Sequence, residues 1–341
     1  MTNRRELRYG EAENEAIRFE MRRDPNVIIM GEDIAGGAGR AHLGIVDAWG
    51  GPFRSTKGLI TEFGPERVLD TPISEGGYIG AAIGAATVGL RPIAELMFVD
   101  FIGVCLDQIL NNAAKIPYML GGQATVPVTI MTRIGAGTGS AAQHSESFYS
   151  IFAHLPGLKC VVPSDPYTAK GLLAAAIRDD DPVIVCDHKK LLNDVGLVPE
   201  DEYVLPIGKS RLLKEGTDVT LVGISLMTSV CMEAAQILDK EGINAEVIDL
   251  LSLSPMDEDA ILSSVKKTNR LVVVDEDTPR CGMATDIVSL AATQAFDYLD
   301  APPQTVTAPH TPVPYSKLLE SLYIPDAQRV VLATKRMMGR E

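Results

Sequence analysis

From Asn26 onward, short apolar runs alternate with segments of helical periodicity, and this alternation constrains the fold more than any other property of the chain. The runs NVIIMGED, RPIAELM, VPVTIMTRIG, KCVVPSD and DPVIVCDHK each predict a buried strand, because none has a regular polar side to turn toward water. Between them, VDFIGVCLDQILNNAAKIPYML and DPYTAKGLLAAAIRDD carry apolar residues three and four positions apart, and Asp165 followed by Pro166 predicts a helix start. Repeated strand, helix, strand units demand a mostly parallel sheet with helices on both faces. The pattern fades over residues 190–216, where prolines, charges and glycines mix, and this predicts a linker. A second alternating unit follows, with DVTLVGI, NAEVIDL and RLVVVDED as strands. SVCMEAAQILDKEG and SPMDEDAILSSVKKT read as its helices, the latter with Ser254 as cap and Pro255 as first helical residue. The 341 residues therefore predict two α/β domains, 1–189 and 217–341, joined by 190–216.

Charge and composition narrow the function classes. A net charge of -14 opposes binding to a phosphate backbone, and no basic cluster with interleaved aromatics offsets it, so nucleic acid is not an expected partner. The opening MTNRRELRYGEAENEAIRFEMRRD is charged throughout, and Arg91 breaks the longest uncharged run before it reaches bilayer length, so no membrane association is expected. Five cysteines without a CxxC pair argue against a disulfide framework and for the cytoplasm.

Within this frame the segment Thr71–Leu90, TPISEGGYIGAAIGAATVGL, holds a single charged side chain, Glu75. The residues after it present no polar face, which predicts a helix buried all round with Glu75 at its start in low dielectric. Burial raises a carboxyl pKa and suits a group that trades a proton with a nitrogen base near neutral pH. A carboxylate at a helix N-terminus also complements the macrodipole, so this segment alone leaves capping and chemistry both open. Phe101 falls just past a predicted strand, where an aromatic either stacks on a flat heterocycle or fills core. His144 follows a glycine-rich loop and precedes a helix, a place for a proton shuttle or for an ordinary cap.

The familiar motifs are missing. Neither GAGTGS at Gly135 nor GGAGRAH at Gly36 gives GxGxxG between a strand and a helix, and their glycines suit turns and close backbone approach. There is no Walker lysine motif and no GxSxG elbow, and His42, His144, His154, His188 and His310 never pair at ligand spacing.

Taken together, GED at Gly31–Asp33, DTPISEGGYIGAAIGAATVGLRPIAELMFVDF, AAQHSE, GLLAAAIRDDDPVIV and SPMDEDAILSSVKKTNRLVVVDED resemble the beta subunit of thiamine-diphosphate-dependent 2-oxoacid and acetoin dehydrogenases, from end to end. The resemblance implies an N-terminal pyrimidine-binding α/β domain and a C-terminal transketolase-like α/β domain. It implies that Glu75 hydrogen-bonds a ring nitrogen of the aminopyrimidine and so drives the cofactor to deprotonate its own thiazolium carbon. It further implies that Phe101 packs on the pyrimidine, that Ile73 and Glu32 line the same pocket, and that His144 serves proton transfer near the reacting carbonyl. A potassium site near Ala176, Asp179 and Asp181 belongs to the same pattern. The family holds the diphosphate through magnesium with a GDG step, which this chain lacks, so magnesium is expected on an alpha subunit within an α2β2 heterotetramer. A lipoyl-bearing acyltransferase core is the implied acceptor. CLDQI, PRCGMATDI and TAPHTPVPYS favour acetoin as substrate, with pyruvate as the alternative. The second glycine of SEGGY departs from many related chains and bears on pocket shape. Two further readings are a noncatalytic interaction subunit, against which Glu75, Phe101 and His144 stand together, and a single-chain transketolase-like enzyme, disfavoured by length and the missing magnesium motif.

Overall fold

The computed structural model describes residues 4–35 and 50–340, so the glycine cluster GGAGRAH and His42 lie outside the described residues. The chain divides into two compact units. The first comprises Met1–Ile134, Ile151–Asp187 and Leu191–Ile207, and the second Gly135–Ser150, His188–Lys190 and Gly208–Glu341.

The strands of the first unit are β1 (Arg4–Arg8), β2 (Val27–Gly31), β3 (Val68–Asp70), β4 (Arg91–Phe98), β5 (Thr129–Ile134), β6 (Lys159–Val161), β7 (Val183–His188) and β8 (Val195–Pro199). Six of them form a sheet in the order β6-β7-β5-β4-β2-β3. β3, β2, β4 and β5 run parallel to one another, as do β6 and β7. Every residue of β2, β5 and β7 is buried, as expected where helices cover both sides of a parallel sheet. The helices Tyr9–Arg23 and Pro166–Arg178 pack together and are joined by Arg178 on Glu20 (Nε–Oε1 2.9 Å) and Lys170 on Glu15 (2.8 Å). Asp165 caps the second of these as its sequence predicts, accepting from the Thr168 amide at 2.7 Å.

Three sequence expectations are corrected. The helix Glu75–Thr87 is not buried all round, because Tyr78, Ile79, Ala82, Ile83 and Ala86 face inward while Gly77, Ala81 and Gly84 are exposed, and Glu75 itself is half-buried. Side chains as small as glycine and alanine mark no face by hydropathy. Residues 99–120 are not one regular helix. A 3₁₀ turn Val99–Phe101 leads into an α-helix Ile102–Asp107, a π-helical turn Gln108–Ala113 and a short helix Ile116–Met119. Ser254 and Pro255 do not start the next helix, which runs Glu258–Thr268 with Asp257 at its N-cap. The Pro255 carbonyl is taken by the Ser252 hydroxyl at 2.7 Å instead.

The second unit contains β9 (Arg211–Lys214), β10 (Val219–Gly223), β11 (Ala245–Asp249), β12 (Ser252–Ser254), β13 (Leu271–Asp275) and β14 (Gln304–Thr307). Its sheet runs β14-β13-β10-β11-β9, parallel except for β9 at the edge. From β10 the chain steps to β11 on one side and then returns to β13 on the other. Right-handed crossovers therefore place Met227–Lys240 on one face and Glu258–Thr268 on the opposite face. Met283–Gln294 packs beside the latter, and Ala327–Met337 beside the former. Residues 190–216, which read as a linker, carry β8 and β9; β8 pairs antiparallel with β1. No helix among the described residues is long and apolar enough to cross a membrane.

Candidate active site

Three neighbouring strands of the first unit, β4, β2 and β3, deliver three of the predicted residues to their carboxyl ends, the usual location of ligand sites in open parallel sheets. Glu32 follows β2, Glu75 opens the helix after β3, and Phe101 closes the 3₁₀ turn after β4. Glu32 is buried, and its Oε1 has no hydrogen-bond partner among the described residues. Its carboxyl lies within hydrogen-bonding reach of Glu75; burial raises its pKa, followed by the charges of Glu75 and Asp33. Cys105 feels the same carboxylate, its thiol pushed up to about 12 by burial and then by Glu75. Tyr78, one turn after Glu75, donates from its hydroxyl to the Glu95 carbonyl at 3.1 Å. Burial, then Glu32 and Glu75, hold that phenol above its ordinary range.

The backbone closes tightly around this corner. A Cβ on Gly76 would sit 2.8 Å from the Val104 carbonyl oxygen, so only glycine lets the two helices approach here. The following Gly77, the unusual second glycine of SEGGY, is exposed and would meet only the Ser74 hydroxyl at 3.0 Å. Ile73 is 84% exposed on the approach to the helix. Phe101 is half-buried and stands edge-on to Phe98 (centroids 5.7 Å, interplanar angle 86°), which in turn stands edge-on to Phe53 (5.7 Å, 88°).

Behind the corner lies a buried charge network. Arg133 is fully buried and forks onto Glu13 (2.5 and 3.0 Å), reaches the Ser55 hydroxyl at 2.9 Å and lies 3.1 Å from Asp187. Its guanidinium also covers the Phe53 ring at 4.9 Å. Glu95 is 3.9 Å away, and its carboxyl is pushed up to about 7 by burial, with Arg133 opposing and Glu13 and Glu32 adding to the rise. Tyr9 donates to Asp187 at 2.6 Å, and burial with the Glu13 charge raises Asp187 well above the carboxylate range.

His144 belongs to the second unit, in the segment after the glycine-rich loop. That loop is anchored by carboxylates: Glu276 accepts from the Ala136 amide at 2.6 Å, and Glu320 from the amides of Gly137 (2.6 Å) and Gly139 (3.0 Å). Gly135, at φ +89, leaves no room for a Cβ beside the His188 ring. Lys189 donates to the His144 carbonyl and, at 3.2 Å, to the Ser145 hydroxyl, fixing the main chain that carries the imidazole.

The family model described as transketolase, pyrimidine binding domain, matches residues 5–195, and that described as transketolase, C-terminal domain, matches residues 208–330. The chain is 55% identical over 335 residues to the acetoin:2,6-dichlorophenolindophenol oxidoreductase subunit beta of Bacillus subtilis (strain 168), covering 98% of each chain. It is also 55% identical over 334 residues to the same-named subunit of Cupriavidus necator, again covering 98% of each. This chain belongs to the beta-subunit family of thiamine-diphosphate-dependent acetoin and 2-oxoacid dehydrogenases. Within that family it is 41% identical over 340 residues to the mitochondrial pyruvate dehydrogenase E1 component subunit beta-2 of Oryza sativa subsp. japonica, covering 98% of this chain and 87% of the relative. A split gene transketolase described as an inactive beta4 tetramer shares the fold, with a TM-score of 0.75 at 24% identity over 96% of this chain and 97% of that one.

The residues of this beta subunit fit the flat end of thiamine diphosphate. A buried carboxyl oxygen on Glu32 without a partner among the described residues, a second carboxyl at Glu75 and a half-buried ring at Phe101 match a planar heterocycle that offers N–H donors and a ring nitrogen. No group of three or more His, Cys, Asp or Glu side chains among the described residues could hold a metal ion. The side chains near the expected potassium position do not fit a cation. Lys159 already lies 2.8 Å from the Asp179 carboxylate and 3.0 Å from that of Asp181. The Asp179 carbonyl accepts from Arg91 at 2.6 Å and the Ala176 carbonyl from the Asp179 amide at 3.2 Å.

Sequence reasoning missed Glu95, Arg133 and Asp187. Each is a charged residue inside a largely apolar strand, a signal close to the one that singles out Glu75.

Proposed function

We propose that this chain is the catalytic beta subunit of an acetoin-cleaving, thiamine-diphosphate-dependent oxidoreductase, a cytoplasmic α2β2 assembly that passes the acetyl unit to lipoamide on an acyltransferase core. The observation that carries the reading is the carboxyl pair Glu75 and Glu32 at the ends of β3 and β2, with one buried oxygen of Glu32 unbonded among the described residues. Glu75 hydrogen-bonds the pyrimidine ring nitrogen, and Glu32, its pKa raised by burial and then by the Glu75 charge, lies beside it. Phe101 stacks on the pyrimidine and Ile73 closes its rim. When bound, thiamine diphosphate supplies a nucleophilic carbon and an electron sink for cleavage of the carbon–carbon bond.

His144 takes the hydroxyl proton of acetoin at its imidazole as the bond breaks. The alpha subunit supplies the ligands for the diphosphate and magnesium, since the chain has no GDG step. The residues near 176–181 do not fit potassium, because Lys159 pairs with Asp179 and Asp181 and the Asp179 and Ala176 carbonyls already accept hydrogen bonds.

The 55% identity to two acetoin oxidoreductase subunits, against 41% to a pyruvate dehydrogenase subunit, supports acetoin as substrate and pyruvate as the second reading. The test is reconstitution with the alpha subunit and comparison of kcat/KM for acetoin and pyruvate with an artificial electron acceptor. A ratio above one, with no turnover and no tight magnesium-dependent cofactor binding by the isolated chain, is expected. A ratio well below one moves the protein to pyruvate, and tight binding by the chain alone overturns the split site.

A further inference from the structure

The ring of Phe101 sits on a three-residue 3₁₀ turn, a short support for a group that must hold a flat ligand in register. What steadies it is a column of rings. Phe101 meets Phe98 edge to face, and Phe98 meets Phe53 edge to face, with both centroid separations 5.7 Å and both interplanar angles near perpendicular, 86° and 88°. This geometry sets the positive edge of one ring on the negative face of the next. The far end of the column is capped by a cation, the Arg133 guanidinium 4.9 Å from the Phe53 centroid.

That cap is fixed. Arg133 is fully buried and held by Glu13, Ser55 and Asp187. The loop that carries Phe53 is pinned just after the ring. The Thr56 hydroxyl donates to the Ile34 carbonyl at 2.6 Å, and Asn14 donates to the carbonyls of Ser55 (2.9 Å) and Lys57 (3.0 Å). Rigidity at the Arg133 end is therefore transmitted ring by ring to the end that faces the proposed ligand.

We infer that Phe98 and Phe53, backed by Arg133, are positioning residues that fix the Phe101 ring for stacking on the cofactor pyrimidine; the inference rests on the placement of Phe101 against that ring proposed above. Loss of one edge-to-face contact removes an interaction of the size that changes affinity about three- to tenfold.

The experiment titrates thiamine diphosphate with magnesium into the complex reconstituted with the alpha subunit, by calorimetry and by the near-ultraviolet circular dichroism band of the bound pyrimidine. Phe98→Leu should weaken binding about three- to tenfold and diminish the band, while Phe98→Tyr restores both. Should Phe98→Leu not assemble, Phe53→Leu is expected to give the same pair of changes from a position farther from the ligand. Weakened binding in Phe101→Leu with wild-type affinity and band in Phe98→Leu and Phe53→Leu would overturn the column and leave the stacking role intact. Wild-type affinity and band in Phe101→Leu would overturn the stacking role itself.

Discussion

The carboxyl groups of Glu32 and Glu75 lie within hydrogen-bonding reach of each other at the carboxyl ends of adjacent parallel strands, one buried and the other half-buried. Burial raises the pKa of Glu32, and the neighbouring charge of Glu75 adds to the rise. The chain thus sets a carboxyl of raised pKa beside a second one, next to a ring suited to stacking.

Glu95 extends this acidity inward and makes stability depend on pH. Its carboxyl is raised from 4.5 to about 7, so the native state holds a proton that the unfolded chain has lost. The contribution is fully present below pH 4.5 and is lost as pH rises through about 7. Glu95→Gln mimics the protonated form. It should leave stability unchanged at pH 4 and raise it at pH 8, by about 3 kcal/mol at most. Urea unfolding at the two values checks this, and an equal effect at both contradicts it.

Gly76 and Gly77 separate a required glycine from a tolerated one. Gly76→Ala drives a Cβ against the Val104 carbonyl and should cost about 1 to 3 kcal/mol, whereas Gly77→Ala meets only a rotatable hydroxyl and should be neutral or stabilising by up to about 1 kcal/mol. Thermal melts of the two variants decide it.

β2, β4, β5 and β7 and the parallel strands of the second unit were readable because buried parallel strands are almost uniformly apolar. Asp165 and Pro166 were readable because capping is local. The exposed face of Glu75–Thr87 was not, since exposing alanine and glycine costs little and leaves no mark in the pattern. β8 was hidden because an edge ribbon paired with β1 needs no continuous apolar run. In the site, Glu75 stood out as an isolated charge, but its neighbour Glu32 lies far from it in sequence and nothing local announces the pair. The Arg133–Glu13 contact spans 120 positions, and only the folded sheet brings its members together.

Arg133 is the cation that Glu13, Asp187 and Glu95 share. Arg133→Met removes it while leaving those carboxyls buried, and should destabilise the chain by about 3 to 5 kcal/mol. Chemical denaturation at neutral pH measures the loss; a change under about 1 kcal/mol would show that protonated carboxyls, not the guanidinium, hold the network together.

His144→Ala should lower acetoin cleavage by about 10² to 10⁴ in kcat/KM while largely sparing cofactor affinity, because the main chain there is held by Lys189 independently of the imidazole. Steady-state kinetics beside a calorimetric titration of the reconstituted complex separate the two effects, and an equal loss in both would recast His144 as a binding residue.

Glu75 is the proposed activator of the cofactor in this chain. The most direct test of that role is hydrogen–deuterium exchange at the thiazolium carbon of thiamine diphosphate bound to the reconstituted complex, comparing the wild type with Glu75→Gln. An intact fold and an exchange rate lowered by about 10² to 10⁴, the range for a lost acid–base group, are expected. An exchange rate equal to that of the wild type would contradict the role.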